Sequence, residues 1–315
     1  EGVIAERNRI ATRFQNKKFR RFINITQLMV FSNNMEYDPE DMEPVQGAFY
    51  ASPSYSRPIF NYFREEENLD LKKLLKAPDE NIEDEVLKDN NLVIIKHSPE
   101  FITNKNPESP TNRVSTSLFS KGRLKFILKY AIAYVEESGG MQKHVMRYPQ
   151  LFATKAIEKK LDEGIVKGII WHTQGSGKTA LAYYNTRFLT VYFQRKNIIP
   201  KFYFIVDRLD LLLQAKAEFS SRGLVVHIVN SKDDFVKDIK TKAAVHNDRG
   251  ELEITVVNIQ KFSEDSQVVQ AQDYDVDVQR VYFLDEVHRS YNPEGSFLAN
   301  LENSDKNAIK IGLTG

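Results

Sequence analysis

The stretch "WHTQGSGKTALA", residues 171–182, sets Gly175, Gly177, Lys178 and Thr179 close together in the chain. Two glycines let backbone N–H groups turn inward around phosphate oxygens, Lys178 can reach β- and γ-phosphates, and Thr179 offers a hydroxyl to Mg²⁺. Thr173, Gln174 and Ser176 complete the candidate ATP-binding loop. The general pattern G-x-x-x-x-G-K-[ST] wants glycine where His172 stands. A plain Gly/Ser turn before a helix is the alternative, but G-x-G-K-T between strand and helix seldom serves only as a turn. Further along, "RVYFLDEVHRS" brings Asp285 and Glu286 abruptly out of an apolar run. At the carboxyl edge of a parallel sheet, Asp285 is placed to bind Mg²⁺ through water and Glu286 to position or polarise an attacking water. Standing alone, the pair would suit a solvated strand end followed by a helix cap. Combined with the loop, Lys178, Asp285 and Glu286 form a candidate catalytic set for nucleoside-triphosphate hydrolysis, with Thr179 and Asp285 as the metal-holding groups.

These residues need a frame that delivers them to one edge. From residue 146 onward, short apolar runs ("GIIWH", "FYFIVD", "LVVHIV", "ITVVN", "VYFLDE", "IKIGLTG") alternate with helix-length segments, which predicts a parallel sheet covered by helices. "SEDSQVVQAQDYDVDVQ" between them reads as a surface loop. Residues 1–115 mix the apolar "INITQLMVFS" with turn-rich stretches such as "YDPEDMEP", predicting a partial α+β unit. In "SKGRLKFILKYAIAYV" the spacing of Leu124, Ile127, Leu128 and Ala131 after Ser120 predicts one amphipathic helix within a connector over 116–145. Lys plus Arg number 44 against 43 Asp plus Glu, so bulk charge announces no nucleic-acid partner. The absence of cysteine excludes disulfides, thiol nucleophiles and Cys-based zinc sites. No apolar run approaches the ~18 residues that a membrane span requires. The expected setting is therefore the cytoplasm, with no membrane partner.

"DEVHRS" resembles the D-E-x-H box of superfamily 2 helicases and translocases. "MRYPQLFATKAI" resembles the R-x-x-Q adenine-reading element, with Arg147 and Gln150 in place; "FIVDRLDLLLQ" resembles motif Ia, "VVNIQKF" a DNA-contacting motif and "IGLTG" the start of motif III. Within that superfamily, W-H-T-x-G-S-G-K-T, V-D-R-x-D-L-x-x-Q, I-Q-K-F and D-E-x-H-R-S are similar to the restriction subunit of type I restriction-modification enzymes. His172 is a feature of that subunit's own loop. "FINITQLMVFSNN" and "LFSKGRLKFILKYAIAYV" more loosely resemble the end of its nuclease domain and the following connector.

The resemblance implies an α/β chain in which a RecA-like P-loop lobe over 146–315 follows the trailing part of a nuclease-like domain. It implies ATP and Mg²⁺ as cofactors, double-stranded DNA as substrate, and specificity and methyltransferase subunits as partners in an ATP-hydrolysing deoxyribonuclease. The family's nuclease Asp and Glu-x-Lys have no equivalent here, and the arginine-bearing second motor lobe belongs after Gly315, so these residues alone are expected to bind nucleotide weakly and hydrolyse little. Arg208, Gln214, Gln260 and Lys261 are candidate DNA contacts by motif position, and His288 and Thr314 candidate coupling residues. Two residues depart from the family pattern: Val287 replaces the usual Ala, and Asn258 a Thr or Ser. Arg208 could instead pair with Asp210, and Gln214 could simply face solvent. The basic "RFQNKKFRR" could track nucleic acid or form one solvated face, and His97, His227 and His246 lack ligand spacing. Alternatives are another superfamily 2 motor, such as a type III restriction subunit or an RNA helicase, and a regulatory module in which ATP is only a structural ligand.

Overall fold

The computed structural model describes residues 3–32, 48–54, 58–70, 79–105, 117–173, 175–240, 249–259, 278–286, 305 and 307–315. The chain divides into two units, Glu1–Ile132 with Ser138–Tyr148, and Ala133–Glu137 with Pro149–Gly315.

In the first unit, helices α1 (Val3–Phe14) and α2 (Arg20–Ile25) precede strand β1 (Met29–Ser32). This strand pairs antiparallel with β2 (Ala48–Ala51), which pairs antiparallel with β3 (Asn61–Phe63). Such short strands gain their adhesion from aromatic cross-strand pairs: Tyr50 meets Phe63 edge-on at 5.9 Å and Phe49 meets Tyr62 at 5.7 Å. Helices α3 (Glu80–Asp89), α4 (Pro99–Lys105) and α5 (Lys121–Tyr130) follow, α3 being capped by the Asp79 carboxylate, which accepts from the Asn81 N–H. The single helix expected across 120–135 is shorter: it ends at Tyr130, and Ile132–Glu137 is a strand, β4, followed by β5 (Gly140–Val145). Ile132, Ala133 and Val135 are buried while Tyr134 is exposed, so the apolar run breaks into a pleated segment. The buried Lys143 on β5 donates from Nζ to the carbonyls of Ile23 and Thr26 at the end of α2, an arrangement that satisfies carbonyls the helix leaves open. Its burial pulls the ammonium pKa down.

The second unit realises the expected parallel sheet. Helix α6 (Tyr148–Asp162) leads into β6 (Lys167–Trp171), α7 (Lys178–Gln194), β7 (Ile199–Val206), α8 (Leu209–Ser221), β8 (Val225–Val229), α9 (Lys232–Lys240), β9 (Glu253–Asn258), β10 (Val278–Asp285) and β11 (Ile309–Thr314). The strand order is β6-β11-β10-β7-β9-β8 and every pairing is parallel. Helices cover both faces, as alternation along β7 requires. Phe204 turns to one face and meets Phe219 of α8 at 5.2 Å, whereas Tyr203 and Ile205 turn to the other and pack with Phe235 and Ile239 of α9. The segment expected as a loop over 263–279 lies outside the described residues except for its last two, which begin β10. No helix among the described residues is long and apolar enough to cross a membrane.

Candidate nucleotide site

Strand β6 ends at Trp171 and helix α7 begins at Lys178, so the loop between them opens at the carboxyl edge of the sheet. Gly175 and Gly177 adopt φ of 78° and 82°, the left-handed region that a side chain disfavours. A Cβ at Gly177 would also stand 2.6 Å from Gln150 Nε2, so the Gln150 amide would have to shift to admit one. Ser176 donates its N–H to the Thr173 carbonyl at 3.1 Å, closing the turn. Its hydroxyl oxygen is buried and has no hydrogen-bond partner among the described residues. A buried orphan hydroxyl in a glycine-rich turn, at the positive end of a helix of 17 residues, fits a bound anion rather than a plain turn. His172 N–H donates to the Thr314 carbonyl at 2.9 Å, joining the ends of β6 and β11.

The register of β10 on β11 sets Asp285 opposite Leu313, one residue before Thr314. Lys178 Nζ lies 3.2 Å from Glu286 Oε1, so the loop lysine and the acidic strand end meet. Glu286 takes φ 50°, a left-handed conformation that costs a non-glycine residue roughly 1–3 kcal/mol and is typical of functional positions. Its N–H donates to Asp285 Oδ1 at 3.1 Å. Asp285 has its carboxyl pKa pushed up to about 6, first by burial and then by the neighbouring Glu286 charge, against the opposing pull of Lys178. The carboxylate of Asp207, just beyond β7, adds to the upward push. Among the described residues no group of three or more His, Asp or Glu side chains is spaced to hold a metal ion. The donors present, one hydroxyl (Thr179) and one carboxylate (Asp285), fit Mg²⁺ that shares its coordination with phosphate oxygens and water.

The sequence-derived residues do not all converge. Thr173, Gly175, Ser176, Gly177, Lys178 and Thr179 lie in the loop and the first turn of α7, while Gln174, Gln260, Lys261, His288 and His246 lie outside the described residues. Arg147 is exposed and belongs to the first unit. Gln150 is buried against the loop itself, its amide donating to the carbonyls of Gly177 at 2.9 Å and Ser176 at 3.3 Å. Arg208, ahead of α8, pairs with Asp210 at 3.0 Å, and Gln214 is an exposed residue of α8. His227 faces Glu253 at 3.3 Å, an ordinary structural contact. Among the described side chains of "RFQNKKFRR", Arg13, Gln15, Asn16, Lys17, Lys18, Phe19 and Arg21 are exposed and Phe14 is buried. Sequence reasoning overlooked Asp207, although its signal, a carboxylate directly after the apolar "FYFIV", is the one that found Asp285.

Residues 143–315, more than half of the chain, match the family model described as type III restriction enzyme, res subunit. The chain belongs to that family. Its res-subunit region carries a superfamily 2 helicase-like domain, for which nucleotide use is inherent. It is 33% identical over 173 residues to the type I restriction enzyme SsaAORF53P endonuclease subunit of Staphylococcus saprophyticus, covering 54% of this chain and 17% of that one. It is 29% identical over 176 residues to the type I restriction enzyme SauMSSORF170P endonuclease subunit of Staphylococcus aureus, with the same coverage of 54% and 17%. The matches thus span about a sixth of those relatives. Among solved structures, a nuclease-deletion mutant of the type ISP restriction-modification enzyme LlaGI, in complex with a DNA substrate mimic, is 16% identical with a TM-score of 0.39, covering 53% of this chain and 17% of that one.

Proposed function

We propose that residues 146–315 are the first nucleotide-binding motor lobe, following the trailing part of a nuclease-like domain, of a type I restriction subunit, a protein that couples ATP hydrolysis to movement along double-stranded DNA and cleaves it, in a cytoplasmic complex with specificity and methyltransferase subunits. The observation that carries the reading is the Lys178–Glu286 contact of 3.2 Å, because it brings a phosphate-binding loop and an acidic strand end to one point. Loop N–H groups from 173–179 and the Lys178 ammonium hold the phosphates. The Thr179 hydroxyl and, through water, Asp285 would hold Mg²⁺, which neutralises charge on the β- and γ-phosphate oxygens. Phosphate oxygens compete with Glu286 for Lys178, and the carboxylate released from that pair is free to orient the attacking water. Thr314, hydrogen-bonded through its carbonyl to the loop strand, and His288 relay the state of the site. Arg208, Gln214, Gln260 and Lys261 meet DNA phosphates, the contacts a sequence-indifferent motor needs. Arg147 is assigned to the adenine end of the nucleotide.

The test uses the parent protein with its partner subunits. Lys178→Ala is expected to weaken ATP binding by at least about tenfold, and Glu286→Gln to leave binding intact while lowering DNA-stimulated turnover by roughly 10²–10³-fold. DNA-dependent ATP turnover that survives Glu286→Gln would sink the motor reading. The matching family model favours a second reading, a type III restriction subunit. Copurification with a specificity subunit distinct from the methyltransferase decides for type I.

A further inference from the structure

Behind the phosphate loop, a closed ring of buried hydrogen bonds joins α6 to α7. Asn185 Nδ2 donates to Thr154 Oγ1 at 3.1 Å and to the Leu181 carbonyl at 2.9 Å. Thr154 Oγ1 donates to the Gln150 carbonyl at 2.9 Å, and the Gln150 amide donates to the carbonyls of Gly177 and Ser176. The ring closes because Gly177 O also accepts from the Leu181 N–H at 2.9 Å. Thr154 and Asn185 have no solvent exposure and Gln150 only 4%. Thr154 and Asn185 do not bond the loop themselves; Thr154 bonds the main-chain carbonyl of Gln150, so with Asn185 it ties to α7 the turn of α6 from which the Gln150 side chain reaches the loop. Apolar residues would pack two helices as well, and this buried ring carries a cost, because Asn185 Oδ1 is buried with no hydrogen-bond partner among the described residues. Its geometry ends on the two carbonyls whose N–H-bearing neighbours must point outward to phosphate.

We propose that Thr154 and Asn185 are positioning residues which, through Gln150, hold the phosphate loop in its anion-binding shape irrespective of the base attached to the phosphates. This rests on the nucleotide-binding reading above. It assigns Gln150 to the phosphate loop rather than to adenine: its amide hydrogens are directed at Gly177 and Ser176, and the 2.6 Å left for a Cβ at Gly177 shows how closely it is seated.

The experiment measures binding of Mg·ADP, Mg·GDP and tripolyphosphate by calorimetry to the 315-residue chain and to Gln150→Ala, Thr154→Val, Thr154→Ser and Asn185→Leu. Thr154→Val and Gln150→Ala are expected to weaken all three ligands by a similar factor, about tenfold. A double variant combining Gln150→Ala with Thr154→Val should be no weaker than Gln150→Ala alone, and Thr154→Ser should keep wild-type affinity. Amide exchange at 175–178 should quicken in Thr154→Val while the middle of α7 stays protected, a change that a purely structural α6–α7 bond would not produce. If Thr154→Val binds all three like wild type, the proposal falls and the nucleotide reading stands. It falls too if Gln150→Ala weakens only the adenine nucleotide. If wild type binds none of the three and Lys178→Ala is equally inert, the nucleotide reading is lost and this proposal with it. Should Thr154→Val fail to fold, the Thr154→Ser and Asn185→Leu pair decides by the same comparison.

Discussion

Asp285 is the residue whose ionisation the fold displaces most usefully. In the unfolded chain its carboxyl releases a proton near 3.8, but burial and the charge of Glu286 hold that proton to about pH 6 in the folded state. The folded state therefore binds more protons than the unfolded one between these values, and stability contributed by this group is lost as pH rises through that window. Integrated, the ionised carboxylate costs about 2–3 kcal/mol at neutral pH in metal-free solution. Between pH 4 and 7 the melting temperature of the wild type should therefore fall relative to that of Asp285→Asn, with the gap levelling off above about pH 7. A constant gap across that range would mean that the carboxyl is not displaced. The same cost has a functional sense, because a cation brought to Asp285 recovers it. A site tuned this way resists filling by bare protein charges and accepts Mg²⁺ together with phosphate.

At the scale of elements, the opposite edge of the sheet is held by charge. Arg280 of β10 makes two bonds to Asp305, at 2.5 and 3.1 Å, Tyr282 donates to the same carboxylate at 3.2 Å, and Lys310 of β11 donates to the Asp305 carbonyl at 2.7 Å. Beside them, Lys201 and Tyr203 of β7 both meet Asp238 at the end of α9, at 3.3 and 2.8 Å. Arg280 and Asp305 are 4% and 1% exposed, so removing the carboxylate strands a buried guanidinium. Asp305→Ala is expected to destabilise the chain by about 3–5 kcal/mol in chemical denaturation, against a much smaller loss for an exposed pair such as Arg208–Asp210. A loss under ~1 kcal/mol would show that water reaches the cluster and screens it. This anchoring was invisible in the sequence, where Arg280 and Asp305 are unremarkable charges flanking apolar runs and only strand order brings them together. The strands themselves were legible, since a run such as "FYFIV" has both faces buried and tolerates no polar interruption. The apolar "LKYAIAYV" was not, because a short run suits helix and strand equally until its neighbours choose, and here Ile132 and Val135 turn inward on β4. The phosphate loop and the acidic strand end could be read because their chemistry demands fixed residue types. The ring behind the loop could not, since threonine and asparagine inside helices carry no spacing signal of their own.

The sheet of the second unit ends on two edge strands among the described residues, β8 and β6, and β6 carries strongly exposed apolar side chains. Among the described residues, β6 pairs only with β11, and no strand lies along its other side. Ile169 is 68% exposed and Trp171 82% exposed on that strand. A cavity of about 410 Å³ adjoins it, lined by Ala153, Ile157 and Leu161 of α6 together with Ile165, Ile169 and Ile311. Parallel strands are normally covered on both faces, and an apolar edge with open backbone groups pairs with whatever strand reaches it. Alone in solution, the 315-residue chain should therefore self-associate through β6 at micromolar to millimolar concentration. Trp171 is the only tryptophan in the sequence, so its fluorescence reports on this edge alone. Acrylamide quenching should be strong in dilute protein and fall as concentration rises, in step with the growth in mass seen by sedimentation. Ile169→Lys, which sets a charge on the edge without touching the phosphate loop, should keep the chain monomeric and its tryptophan quenchable throughout. If the wild type remains monomeric over the same range, or if Ile169→Lys associates as readily, another surface carries the contact and the β6 edge is protected in a way its exposed side chains do not reveal.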